Sequence, residues 1–159
     1  MADRIPQSQL TGVSQVPATC MGMHVRRASR IITQVYDAAL RPVGLVLSQF
    51  TLLVCISMME SAPITHLAQE LYTDQTTLTR NLKPLKQRGL VAIDPGEDRR
   101  VKLVSLTVEG RSILAQALPL WEQAQAQVMQ HFVGVASQNE NRQQWQTLLS
   151  LLSDLKNLS

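Results

Sequence analysis

The 159-residue chain has only two cysteines, Cys20 and Cys55, and neither has a partner at CxxC spacing. No disulfide framework and no zinc site can be drawn from them. Aromatic residues make up 4% of the chain and glycine occurs 7 times, a composition poor in the residues of sandwiches and barrels. No apolar run approaches the roughly 20 residues that a membrane helix needs, and the opening residues carry no signal-type apolar core. The histidines His24, His66 and His131 are scattered, and there is no carboxylate pair, Gly-rich phosphate loop or Cys/His signature spacing. These absences argue against an enzyme, a secreted protein and a membrane protein. They leave a cytoplasmic protein expected to need no metal or cofactor.

What is present favours helix. Leu, Ala, Gln and Val recur within a hydrophobic fraction of 45%, so the fold class is expected to be mainly α. The length suits one domain with an appended element, and a chain of about 150 residues buries about 70% of its extended surface without staples. The net charge of +3 is unevenly placed: Gln75 to Arg88 holds Arg80, Lys83, Lys86 and Arg88 with no acid. A local basic face is the footprint of a phosphate binder, with a solvated helix face as the alternative.

Residues 1–18, rich in Gln, Ser, Thr and Pro, read as a flexible arm. A first helix is predicted from Thr19, where Met21, Val25, Ala28, Ile32, Val35 and Ala39 recur at helical spacing until Pro42 and Gly44; Arg26, Arg27 and Arg30 lie on its other face. Ser48 is the expected cap of a second helix with an apolar stripe of Phe50, Leu53, Val54 and Ile56, and Ala62-Pro63 breaks it. Thr65 is expected to cap a short third helix, Tyr72-Thr73 to turn, and Asp74 to cap a fourth helix that ends at Gly89. Val91 and Ile93, then Val101, Leu103 and Ser105, alternate as a hairpin about the turn Asp94-Pro95-Gly96-Glu97-Asp98. Thr107 caps a long fifth helix through about Phe132, with Pro119 inside it, and Trp145, Leu148, Leu152 and Leu155 mark a sixth.

Two short helices joined by a tight turn can read DNA when the second has a packed back and a polar, basic front. Leu78, Leu82 and Leu85 are the back; Gln75, Thr76, Thr77, Thr79, Arg80 and Lys83 are the front. Thr and Gln can hydrogen-bond bases, and Arg can contact guanine bidentately. Pro84 is expected to bend this helix without abolishing it. Arg99 and Arg100 at the hairpin tip suit a narrow minor groove, with Asp98 orienting Arg100 by a charge-assisted bond. Leu114, Leu118, Trp121 and Val128, together with the sixth helix, offer more apolar surface than one lobe needs, which points to a homodimer.

The run Leu67-Ala68-Gln69-Glu70-Leu71, then Thr76-Thr77-Leu78-Thr79-Arg80-Asn81-Leu82, Arg88-Gly89-Leu90-Val91, Asp98-Arg99-Arg100 and Leu106-Thr107-Val108-Glu109-Gly110-Arg111 resembles the MarR family of bacterial winged-helix transcription regulators. The resemblance covers about residues 19–130. It implies an obligate homodimer in which the first, fifth and sixth helices interlock above two winged helix-turn-helix lobes, each of three helices and a β-hairpin wing. The resulting division is 1–18 arm, 19–47 first dimerisation helix, 48–106 DNA-binding lobe and 107–159 fifth and sixth helices. Thr76, Thr77, Thr79 and Arg80 fall on the family's recognition-helix positions, and Asp98 with Arg100 on its wing pair.

The resemblance also implies double-stranded DNA as partner and a small aromatic or phenolic effector, or an oxidant, that weakens DNA binding. Met23, His24, Cys55, Met58, Met59 and Trp121 are the candidate effector pocket; core packing is the plainer role for the methionines and for Cys55. Cys20 begins the first helix, where amide dipoles favour a thiolate, and resembles the sensing cysteine of the family's peroxide-responsive branch. The tyrosine partners of that branch are absent, since the second helix opens Leu47-Ser48-Gln49-Phe50. A winged helix serving only protein contacts is the rival reading, and the acid-free basic face argues against it.

Overall fold

A computed structural model of the protein describes residues 12–98 and 100–133, with residues 143, 146, 147, 150 and 154 beyond them. The expected sixth helix on Trp145, Leu148, Leu152 and Leu155, most of the expected arm, and Arg99 lie outside the described residues. The order is a 3-10 turn Val13–Gln15, α1 Val16–Thr19, α2 Met21–Leu40, a 3-10 turn Arg41–Val43, α3 Leu47–Met59, β1 Ser61–Pro63, α4 Ile64–Glu70, α5 Gln75–Gln87, β2 Val91–Pro95, β3 Lys102–Leu106 and α6 Val108–Val133. The described fold is thus a mainly α winged helix, with the expected first and fifth helices appearing as α2 and α6.

Several boundaries correct the sequence reading. The arm is not irregular up to Ala18: Pro17, in the first turn of α1, pre-sets a helical φ, and the Thr19 hydroxyl closes the turn on the Gln15 carbonyl at 2.9 Å. Cys20, in extended conformation, separates α1 from α2 and stands at the N-cap of α2. Ser48 does not cap α3. That helix starts two residues earlier than such a cap would place it, and its Leu47 amide donates at 2.7 Å to Asp37 Oδ1 on α2, while Gln49 Oε1 accepts from the Val46 amide at 3.3 Å. Likewise α4 begins at Ile64 directly after Pro63, without a side-chain cap from Thr65.

The Asp37 bond ties two helices together as well as capping one. We predict that Asp37→Ala lowers stability by about 1–2 kcal/mol, the usual cost of stranding a part-buried amide, and that Asp37→Asn recovers most of it. Thermal denaturation of the three proteins checks this; equal melting temperatures would show the bond to be replaceable by water.

Ala62-Pro63 does more than break a helix. Ser61, Ala62 and Pro63 pair antiparallel with Ser105, Val104 and Leu103, so the sheet has three strands in the order β1-β3-β2. β2 pairs with β3 from Val91↔Leu106 to Pro95↔Lys102. The inward phase of β3 is Val104 and Leu106, both buried, and not the alternation Val101, Leu103, Ser105 expected from sequence.

Leu52, Leu53 and Ile56 of α3 are essentially inaccessible and sit among Leu67, Leu78, Leu82, Leu85 and Val104 from the surrounding elements. Leu52 therefore belongs to the inward surface of α3, whereas Val54 is only half-buried. Each such side chain contributes about 1.5–3 kcal/mol by leaving water, and among the described residues no polar or charged side chain is buried with them. A second cluster, Tyr36 with Ala124 and Val128, joins α2 to α6, and the Tyr36 hydroxyl donates to Gln125 Oε1. Burial holds the Tyr36 phenol above its ordinary range, so it remains a donor.

Candidate nucleic-acid interface

Two helices, α4 and α5, make the helix-turn-helix. Their turn contains Tyr72 at φ 48, a left-handed residue where glycine would be unstrained. The turn closes through Tyr72 N–H to Gln69 O at 3.2 Å and Thr73 N–H to Ala68 O at 3.0 Å. Asp74 then caps α5 as expected: Oδ1 accepts the Thr77 amide at 2.8 Å and Oδ2 the Thr77 hydroxyl at 2.7 Å. These bonds, the hydroxyl's foremost, hold the Asp74 carboxyl below the usual carboxylate range. The cap accordingly persists at neutral pH and is lost only as pH falls through that depressed value.

The helix runs through Pro84 without interruption and ends in a Schellman turn, with Gly89 at φ 69, Gly89 N–H on Lys86 O at 2.9 Å and Leu90 N–H on Leu85 O at 2.9 Å. That end is locked onto α6. Thr107 Oγ1 donates to Gly89 O at 2.6 Å and accepts the Gly110 amide at 2.9 Å, and the Thr107 amide donates to Leu90 O at 3.2 Å. A Cβ added at Gly110 would stand 1.9 Å from the Leu90 carbonyl oxygen, which explains the glycine. Arg88 is not part of the outward basic face. Its guanidinium donates to the backbone carbonyls of Gly44 and Val43, anchoring the end of α5 to the turn below α2.

With its back buried on Leu78, Leu82 and Leu85, α5 exposes Gln75, Thr76, Thr79, Arg80, Lys83, Lys86 and Gln87. A groove of about 570 Å³ runs between this helix and the wing, with Gln75, Thr79 and Lys86 on one wall and Arg100, Val101 and Lys102 on the other. A second depression of about 890 Å³ along α5 takes in Thr76, Arg80, Lys83 and Lys86. Fold therefore brings recognition-helix and wing cations to one surface. Lys86 was signalled by the acid-free stretch, but Lys102 is placed only by the hairpin register. Thr77 is half-buried, with its hydroxyl committed to Asp74.

Asp98 acts differently from expectation. Its Oδ1 accepts the Arg100 backbone amide at 2.9 Å and not the guanidinium. Short-range geometry explains the difference: a carboxylate two residues before an amide closes an Asx-type turn more readily than it reaches along a long side chain. Gly96 N–H to Val101 O and Val101 N–H to Asp98 O, each at 2.8 Å, complete the tip. The one contact at salt-bridge distance among the described residues is His66 Nε2 to Glu70 Oε1 at 3.8 Å, so Arg80, Lys83 and Arg100 are not neutralised internally.

The candidate effector residues are dispersed in the single chain. Met58 is 81% and Met23 50% exposed, His24 is also exposed, and Met59 and Trp121 pack on the core, where Trp121 stacks on Phe50 with centroids 6.1 Å apart. Cys55 is half-buried; burial, with the Glu70 charge adding to it, pushes its thiol up and away from the reactive thiolate. Neither cavity beside α5 includes any of the six. Cys20 is a half-exposed free thiol at the start of α2.

The MarR family model matches residues 45–102, from just after the turn Arg41–Val43 through the first residue of β3. An uncharacterized HTH-type transcriptional regulator of Bacillus subtilis, YwoH, is 33% identical over 85 residues, 54% of this chain and 62% of its own length. The chain spans under two thirds of the length of the curated relatives it matches. Among solved structures, the Mycobacterium tuberculosis transcriptional regulator MosR in complex with DNA is 37% identical with a TM-score of 0.70, covering 86% of this chain and 98% of that one. BpsR of Bordetella bronchiseptica, whose DNA binding is regulated by 6-hydroxynicotinic acid, is 25% identical with a TM-score of 0.73, covering 86% and 95%.

Proposed function

The chain belongs to the MarR family, a family of transcription regulators and not of enzymes, and on that premise we propose that it binds a pseudo-palindromic operator as a homodimer and represses transcription until an effector releases it. The observation that carries the reading is the juxtaposition of an exposed, acid-free α5 face with the wing cations Arg100 and Lys102 across one groove. In this reading Gln75, Thr76 and Arg80 meet base edges in the major groove, Lys83 and Lys86 meet phosphate, and Arg100 enters the flanking minor groove. The MosR complex with DNA supports it, and the regulation of BpsR by an aromatic acid supports a small aromatic or phenolic effector.

We infer that the partner is a second copy of this chain. Met21 is 74%, Val25 46% and Ile31 54% exposed on α2, apolar side chains that one chain leaves in water. We predict a solution mass about twice the 17.7 kDa of the chain. Sedimentation showing one species of monomer mass at micromolar concentration would remove the two-fold operator from the proposal.

Fluorescence anisotropy with duplexes selected from a random pool tests the DNA reading. Half-sites are expected about 10 base pairs apart or a multiple of it. Arg100→Ala is expected to weaken binding, to flatten the slope of log affinity against log salt by about 1, and to relax preference only at the flanking base pairs whose narrow minor groove it enters. An unchanged slope and affinity would point the wing away from DNA. Titration of the bound duplex with 6-hydroxynicotinic acid and simple phenols checks the effector arm, where release at ligand concentrations that do not unfold the protein is the expected result.

A further inference from the structure

We propose that Thr77 is a positioning residue that holds Arg80 for base reading, and that it is not itself a reader of DNA. This rests on the DNA-binding role assigned to Arg80 above. Asp74, Thr77 and Arg80 are spaced by three, so they rise along one edge of the first turns of α5. A hydroxyl has one proton to donate and lone pairs with which to accept. The Thr77 proton goes to Asp74 Oδ2 at 2.7 Å, so toward Arg80 the oxygen can only accept, and it receives Arg80 Nη2 at 3.4 Å. The Thr77 amide on Asp74 Oδ1 at 2.8 Å fixes the carboxylate at the other end. The carboxylate polarises the hydroxyl and makes it a better acceptor for the guanidinium, so the three groups form a relay of one sense.

The relay directs Arg80 back over the helix N-terminus, the end that enters a major groove first. A long side chain already held there loses less freedom on meeting a guanine than one that roams. The neighbouring threonines divide their labour in the same way. Thr79 donates its hydroxyl to the Gln75 carbonyl at 2.7 Å, whereas the Thr76 side chain is exposed and has no intramolecular partner among the described residues. Thr76 is thus the threonine of this helix whose hydroxyl can still donate to a base.

The test uses the full-length protein and a duplex enriched by wild type from a random pool, with Arg80→Ala first locating the base pair that Arg80 discriminates. Thr77→Val, which keeps the shape and removes the hydroxyl, is expected to reduce discrimination at that same base pair about fivefold, the scale of one net hydrogen bond. Affinity for the unselected pool should stay within about twofold, because the cationic face is intact. Thr77→Ser should restore discrimination, and Thr77→Val should add nothing in the Arg80→Ala background. Loss at a different base pair, or additivity with Arg80→Ala, would make Thr77 a reader and overturn the proposal, as would unaltered discrimination in Thr77→Val. Failure of wild type to enrich any sequence would overturn the DNA reading itself, and this inference with it.

Discussion

Gly110→Ala is expected to destabilise the protein by about 3 kcal/mol or more, although alanine is the better helix former. Helix propensity alone would favour the variant by about 1 kcal/mol. Against that gain, the new Cβ would lie 1.9 Å from the Leu90 oxygen and 2.9 Å from its carbonyl carbon. Both are backbone atoms and cannot rotate away, so α6 must withdraw from the end of α5. Withdrawal breaks the Thr107 amide bond to Leu90 and pulls the Thr107 hydroxyl from Gly89. Overpacking of this kind commonly costs 1–3 kcal/mol, with about one more for each broken bond. At about 2–4 °C per kcal/mol the melting temperature should fall by roughly 6 °C or more. A Gly110→Ala protein as stable as wild type would mean that the helices part freely here.

Arg80→Ala is the second large effect, and it should fall on recognition and not on folding. Arg80 is exposed on α5, and its one described bond is the long contact with Thr77, so removing it should change stability little. If Arg80 forks onto a guanine, the variant should lose about 1–3 kcal/mol of binding to the preferred duplex and become tolerant of other bases there. Arg80→Lys keeps the charge but not the planar pair of donors, and should lose most of the same discrimination. Lys83→Ala supplies the contrast, with a modest loss shared by all sequences. Measuring each variant against the selected duplex and its single-base relatives separates the cases. An Arg80→Ala loss equal on every duplex would reassign that side chain to the backbone.

Local chemistry was legible. Asp74 and Thr107 cap the helices that their residue types suggested, and Gly89 ends α5 in the left-handed conformation, because each of these features is decided within a few residues. What escaped depends on distant partners. Asp37 caps α3 from another helix, three residues including a proline become a strand only because Val104 and its neighbours lie beside them, and Arg88 folds back onto a turn more than forty residues earlier. The buried phase of β3 was missed for a related reason: Val101 looks like a core residue, but the register with β2 directs Val104 and Leu106 inward. The recognition face was readable because exposure follows from helical period once Leu78, Leu82 and Leu85 define the back. Which of its hydroxyls is free was not, since that depends on side-chain bonds within the turn.

The Arg88 anchor is asymmetric under mutation. Its donor is one side chain, but its acceptors are main-chain oxygens of Val43 and Gly44, which every amino acid carries. No replacement at position 43 can delete the acceptor there, whereas Gly44, at φ 66, is in the left-handed conformation, where a side chain other than Asn or Asp costs about 1–2 kcal/mol. A random library screened for altered operator spacing should therefore return lesions at Arg88 and Gly44 while accepting small apolar changes at Val43. The genetic footprint of this anchor would be two isolated positions, far apart in the gene and adjacent in the fold.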